Sequence, residues 1–302
     1  MALIKHTVWS EWSDLKVPAG FGNLSLADHP LDSSDLSRIT IYVQPYMTGV
    51  EFLEPVKAMS NLQILQVPNA GYESALPYLR PGMTLCNARG VHNASTAELA
   101  VGLAIAMKRG IPDFVREQDQ GLWSHERMGS LNDSVIGIIG AGSIGQTLVS
   151  YLKPYEVEIT SFSRSGMNGS LTLGKLDELL PTFDFLFLIV PLNDESNNLI
   201  NARRLALMKD GAILINVARG KVVDTDALVA ELNTGRISAA LDVTDPEPLP
   251  PGHPLWKAKN VLITPHVGGD SEAFEKRRFA KRSAPSVAMR SRLQLESSTA
   301  AR

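Results

Sequence analysis

The stretch VIGIIGAGSIGQTL, residues 135–148, decides the fold. An apolar, β-branched run enters three glycines, Gly140, Gly142 and Gly145, and a helical pattern follows. Glycines at G-x-G-x-x-G spacing mean little alone. Between a strand and a helix they make the turn in which a dinucleotide pyrophosphate rests on free N–H groups at the helix start. Gly140 is read as the tight turn, Gly142 as the point of pyrophosphate approach, and Gly145 as the close helix–strand contact. Ser143 and Ile144 are expected to line the same loop. The alternative is a glycine turn in some other α/β protein, such as a methyltransferase.

Working outward, short apolar runs alternate with helical stretches: VEITSF (157–162), FLFLIV (185–190), AILINV (212–217), AALDV (239–243) and VLIT (261–264). Runs apolar on both faces fit strands of a parallel sheet covered by helices on both sides. In DTDALVAELNTGR (224–236), Leu228 and Leu232 share a helix face and Gly235 is a stop signal. The expected fold class is α/β with a doubly wound parallel sheet. Residues 1–92 carry RITIYVQP (38–45), LQILQVPNAGYE (61–73) and MTLCNARG (83–90), which predict a second, smaller α/β unit. Between the two lies HNASTAELAVGLAIAMKRGIP (92–112). There Ser95 and Glu98 have capping-box spacing, and Gly110 and Pro112 are stops. The helix body is apolar nearly all round and must be buried, between domains or against a second subunit. A homodimer is the expected assembly, and burial of the helix within one chain is the alternative.

Composition narrows the classes. A hydrophobic fraction of 44% is enough for real cores. A net charge of −3 gives no pull toward nucleic acid or acidic membranes. Cys86 is the single cysteine and fits a reducing compartment. The N-terminus lacks the apolar core of a signal peptide, and FLFLIVPL (185–192) is far short of a membrane span. A cytoplasmic protein with neither nucleic-acid nor membrane partner, and with no metal site, is expected.

The strand after the glycine turn bears on the cofactor. Sites for NAD place an acid about 20 residues on, to bind the ribose 2′-hydroxyl. Here VEITSFSRSG (157–166) ends in Ser163, Arg164 and Ser165. A guanidinium flanked by hydroxyls suits a 2′-phosphate, so NADP(H) is expected in preference to NAD(H). The competing reading makes Arg164 a solvated surface residue and leaves NAD open.

Four chemistry-bearing residues fall at strand ends: Arg219 in INVARGKVVD (215–224), Asp242 and Glu247 in ALDVTDPEPLP (240–250), and His266 in NVLITPHVGG (260–269). In an open parallel sheet, ligands bind outside the carboxyl ends of the strands. His6, His29, His125 and His253 read as surface or loop residues, and His92 abuts the domain junction.

Together with NAGYE, GVHNASTAELAVGLAIAMKRG and IGIIGAGSIG, these motifs closely resemble the D-isomer-specific 2-hydroxyacid dehydrogenases from about residue 60 to 279. The resemblance implies two Rossmann-like domains. Residues 93–268 would bind the dinucleotide. Residues 1–92 with 269–302 would form a smaller, flavodoxin-like substrate domain. It also implies that Arg219 binds the substrate carboxylate and carbonyl, that Glu247 pairs with His266, and that Asp242 lies near the nicotinamide carboxamide. Thr96, Val190, Pro191, Val217 and Ala218 complete the expected cofactor contacts. Backbone at Ala70 and Gly71 would help hold the substrate carboxylate. Reducing a 2-keto acid places hydride on the carbonyl carbon and a proton on its oxygen, which a carboxylate-oriented histidine can donate. Arg219 would hold the small 2-keto acid by a bidentate fork. Glyoxylate and hydroxypyruvate are the expected substrates. That the chain ends at residue 302 without an appended regulatory domain counts slightly against a phosphoglycerate dehydrogenase. A nucleotide-sensing corepressor on the same fold is the alternative, since such proteins keep Arg219, Glu247 and His266.

Two departures from the family stand out. After Phe279 the chain is basic, Ser-rich and without an aromatic, and disorder is expected from about Pro285. A shifted reading frame near residue 280 would account for it. PLNDESNNLI (191–200) also lacks the threonines common in that loop of the family.

Overall fold

A computed structural model describes residues 6–27, 30–31, 36–46, 48–258 and 260–273. The expectations for His29 and for the tail after Phe279 lie outside these residues. The chain divides into two units, the first running to Val91 and the second beginning at His92.

The first unit is a five-stranded parallel sheet. Its strands are β1 (His6–Ser10), β2 (Phe21–Ser25), β3 (Ile41–Val43), β4 (Ile64–Gln66) and β5 (Thr84–Cys86), in the order β2-β1-β3-β4-β5. That is the flavodoxin-like order. Trp9, Tyr42, Leu53, Val56, Met59 and Leu65 are its buried core. The Tyr42 hydroxyl donates to the Phe52 carbonyl at 2.7 Å, which satisfies its one polar group inside that core. Among the described residues the connections carry 3₁₀ turns rather than α-helices, and prolines Pro55 and Pro77 sit within two of them. Cys86 is free and buried, and burial pushes its thiol up.

The second unit opens with α1 (Asn93–Lys108) and α2 (Ile111–Asp119). There follow β6 (Val135–Ile139), α3 (Ser143–Leu152), β7 (Glu158–Ser163), β8 (Leu171–Thr172), α4 (Leu176–Leu179) and β9 (Phe185–Leu188). The unit continues with α5 (Ala202–Leu207), β10 (Ile213–Asn216), α6 (Thr225–Thr234), β11 (Ser238–Leu241) and β12 (Val261–Ile263). All seven strands are parallel, in the order β12-β11-β10-β9-β6-β7-β8. The order reverses between β6 and β9, the switch point where ligands bind in such sheets.

The two faces of this sheet bury separate cores because strand side chains alternate. Along β9, Phe185 and Phe187 pack with Ile136, Leu103, Leu148 and Leu152 on one face. Leu186 and Leu188 pack with Phe162, Leu205, Leu228 and Leu232 on the other. Each such side chain contributes about 1.5–3 kcal/mol on burial. Asp224 caps α6 by accepting from the Ala227 N–H at 3.0 Å, and Gly235 ends it in the left-handed conformation.

Three expectations need correction. The Ser95 capping box does not form: Thr96 N–H already bonds the His92 carbonyl at 3.0 Å, so the helix begins before Ser95. Ser95 is buried, and its hydroxyl pairs with that of Ser271 at 2.7 Å. Next, α1 is covered within its own unit by α3, β10 and β11, so its burial calls for no second subunit. The expected boundary after residue 268 also shifts. Gly269 and Ser271 stay with the second unit, where the Gly269 carbonyl pairs with buried His92 Nδ1 at 3.0 Å.

Candidate active site

Because every strand of the second unit points the same way, all its strand-end loops gather at one edge. The glycine turn follows β6. Gly140 has φ 125°, closed to side-chain-bearing residues, and a Cβ there would strike the Ile189 carbonyl beyond β9. A Cβ on Gly145 would strike the Gly140 carbonyl, so α3 sits tight against the turn. Gly142, the N-cap of α3, faces open space. This leaves an uncluttered surface over the first N–H groups of a ten-residue helix. Ser143 begins that helix and donates to Asn93 Oδ1 at 3.2 Å, and Ile144 follows it half-buried. The turn therefore fits a dinucleotide pyrophosphate.

Two loops flank the turn. After β7, the Ser163 and Ser170 hydroxyls pair at 2.7 Å, and Asn168 Nδ2 donates to the Ala141 carbonyl at 3.1 Å. Arg164 and Ser165 are exposed on this loop. After β9, Val190 is half-buried and Pro191 exposed. The Ser196 hydroxyl donates to the Pro191 carbonyl at 2.7 Å, and Asn193 Oδ1 accepts from the N–H groups of Glu195 and Ser196, each at 3.0 Å. Asn193 and Ser196 thus fix the loop that lacks the family's threonines.

The loop after β10 carries Val217 and Ala218, both buried, then Arg219. Asn216, 1% exposed, shapes it: Oδ1 accepts from Ala218 N–H at 3.0 Å and Nδ2 donates to the Arg219 carbonyl at 3.0 Å. Arg219 Nη1 donates to the Ala218 carbonyl at 2.6 Å. The next loop comes close enough that a Cβ on Gly220 would strike the Thr244 carbonyl.

Asp242, at the end of β11, is 2% exposed and organises the loop after β12. Its Oδ1 accepts from the Thr264 hydroxyl at 2.6 Å and the Val267 N–H at 2.9 Å. Its Oδ2 accepts from the Gly268 N–H at 2.8 Å, and its carbonyl accepts from the His266 N–H at 2.7 Å. A Cβ on Gly268 would lie 2.8 Å from Oδ2, which is why glycine stands there. Thr96 Cγ2 lies 3.6 Å from the same point, so Thr96 is buried beneath this turn. His266 is held at φ 54°, a backbone region that costs a non-glycine residue about 1–3 kcal/mol and gathers at functional sites. Its Nδ1 lies 2.5 Å from Glu247 Oε1, with side-chain exposures of 46% and 39%. Arg219, Asp242, Glu247 and His266 thus occupy three adjacent strand-end loops, with His266 and Glu247 in direct contact.

Ala70 and Gly71 belong to the first unit, in the turn after β4, where the Ala70 carbonyl accepts from Asn87 Nδ2 at 2.8 Å. Asn216 and Thr264 also shape the site, through bonds that residue type alone does not announce. A polar residue closing the apolar run ILIN was the available signal for Asn216, whereas a threonine after a strand gives none.

Comparison with known proteins places this geometry. Residues 101–268 match the D-isomer specific 2-hydroxyacid dehydrogenase NAD-binding domain. A glyoxylate reductase of Thermofilum pendens is 35% identical over 229 residues, 71% of this chain and 68% of that protein. The crystal structure of a D-isomer specific 2-hydroxyacid dehydrogenase family protein from Aeromonas salmonicida superposes with a TM-score of 0.80 at 26% identity, covering 92% of this chain and 94% of that one. A D-isomer specific 2-hydroxyacid dehydrogenase from Xanthobacter autotrophicus, in complex with NADPH and MES, gives 0.71 at 25% identity, covering 94% and 97%. The fold and motifs agree with these matches: the chain belongs to the D-isomer-specific 2-hydroxyacid dehydrogenases, a family of NAD(P)-dependent oxidoreductases acting on CH–OH donors.

Proposed function

We propose that this protein reduces a small 2-keto acid, glyoxylate or hydroxypyruvate, to the 2-hydroxy acid, with NADP(H) preferred over NAD(H). The observation that carries the reading is the 2.5 Å contact between His266 Nδ1 and Glu247 Oε1. Glu247 fixes the ring through one nitrogen, which commits Nε2 to the substrate oxygen. Arg219 receives the substrate carboxylate, with its backbone set by Asn216. Backbone at Ala70 and Gly71 is assigned a part in carboxylate binding. A dinucleotide would rest on Gly142, Ser143 and Ile144, with Val190, Pro191, Val217, Ala218 and Thr96 along its length. When bound in reduced form it supplies the hydride. Asp242 shapes the histidine turn, and His266 delivers the proton as negative charge develops on the carbonyl oxygen.

Arg164 and Ser165, exposed after β7, support the NADP preference. A homodimer and a cytoplasmic location complete the reading. Support for the dimer comes from α2 and the segment after it, where Val115 is 52%, Leu122 55% and Trp123 98% exposed. The test is a panel of 2-keto acids assayed with NADPH and NADH. Turnover of glyoxylate or hydroxypyruvate, faster with NADPH, is expected. Tight cofactor binding without turnover on any keto acid would contradict it.

A further inference from the structure

Among the described residues, Arg164 faces Glu195, with Nη1 to Oε2 at 4.0 Å. The two come from different loops, after β7 and after β9, which flank β6 and its glycine turn. Hydrogen bonds shape the backbone of both loops. The β7 loop is tied by the Ser163–Ser170 bond and by Asn168 to Ala141. The β9 loop is tied by Asn193 to the Glu195 N–H itself and by Ser196 to Pro191. A carboxylate therefore lies beside the guanidinium that the NADP reading assigns to the 2′-phosphate.

We infer that Glu195 is a specificity-determining residue that opposes NADP(H), so that Arg164 and Glu195 together set the cofactor ratio. The inference rests on the reading of Arg164 as the 2′-phosphate ligand. A phosphate monoester carries about −1.5 to −2 charges at neutral pH. Placed on Arg164, it meets Glu195 as a like charge a few ångströms away. It must also displace Glu195 from the guanidinium. A ribose 2′-hydroxyl is neutral and meets neither cost. With side chains 78% and 59% exposed, the pair itself is weak, and its removal leaves the fold alone. The loop thus tempers a preference that Arg164 alone would make steeper.

The test measures equilibrium binding of NADPH and NADH to the full chain, to Glu195→Gln, to Arg164→Gln and to the double variant. Glu195→Gln is expected to tighten NADPH about threefold to tenfold at low salt and to leave NADH nearly unchanged. The gain should shrink at about 1 M salt, where the Debye length falls to about 3 Å; a change in loop structure would not respond so. In the Arg164→Gln background the gain should be smaller, because the competition for the guanidinium is gone. Unchanged or weaker NADPH binding by Glu195→Gln, or equal shifts for both cofactors, overturns the inference. The Arg164→Gln variant separates the two levels. If it leaves the NADPH to NADH ratio intact, the reading of Arg164 itself fails; if it lowers that ratio while Glu195→Gln does nothing, only the role of Glu195 fails.

Discussion

The loops around His266 and the loop around Arg164 lie at the same edge of the same sheet, yet they are built in opposite ways. The His266 turn is fastened from below by a buried carboxylate that accepts three bonds from Thr264, Val267 and Gly268. Arg164 stands in solvent, 4.0 Å from Glu195. The contrast fits the two tasks proposed for them. A proton donor must meet its acceptor within a fraction of an ångström, so its backbone is fixed even at a positive φ. A charge that recognises a phosphate acts over several ångströms and tolerates a long, mobile side chain. In the proposed reading, chemistry is placed by buried hydrogen bonds, and cofactor choice by exposed charge.

The contrast breaks most sharply at Asp242. Asp242→Asn swaps one acceptor for an N–H₂ that faces a backbone N–H or the Thr264 hydroxyl. The expected loss is about 10²-fold in kcat from a displaced His266, with a stability cost of about 1–3 kcal/mol in urea. Steady-state kinetics beside cofactor titration check it, and NADPH affinity should hold. A raised cofactor Kd with unchanged kcat would move Asp242 to direct cofactor binding.

A second pair of variants tests the glycine turn. Gly140→Ala must carry a Cβ into the Ile189 carbonyl at φ 125° and should cost at least about 2 kcal/mol in thermal or urea unfolding. Gly142→Ala meets open space, so it should fold normally and weaken the dinucleotide by about tenfold. Equal destabilisation by both would remove the distinction between them.

Much of the second unit was legible because its strands are buried on both faces. Continuous apolar runs such as FLFL and ILIN have few other uses. Edge strand β8 was not, since Leu171 and Thr172 are both exposed and carry no pattern. Nor were β1 and β2, HTVWS and FGNLS, where polar residues interrupt the run and Trp9 does most of the burying. The Ser95 cap misled because its hydroxyl found Ser271, a partner 176 residues away. At the site, Arg219, Glu247 and His266 stand out in their motifs, and the structure sets them on adjacent strand-end loops with His266 against Glu247. The role of Asp242 as the anchor of the histidine turn is not legible there, because it depends on backbone N–H groups that no side-chain pattern records.

The smallest expected effect lies far from the site. Bonds from Arg204 and Arg203 hold the Asp177 carboxyl below the usual carboxylate range. A folded-state value below the unfolded one gives stability that is present above about pH 4 and lost as pH falls through the folded value. With Asp177 35% exposed, screening limits this to about 1 kcal/mol or less. Asp177→Asn should flatten that part of the acid stability profile; an unchanged profile would mean the pair contributes nothing.

The most direct measurement compares turnover and cofactor affinity in His266→Ala on one preparation, with glyoxylate and NADPH as the probes. The expected result is a fall in kcat of about 10²–10⁴-fold with NADPH affinity nearly unchanged. Retention of most of the wild-type turnover would contradict the assignment of His266 as the group that protonates the substrate.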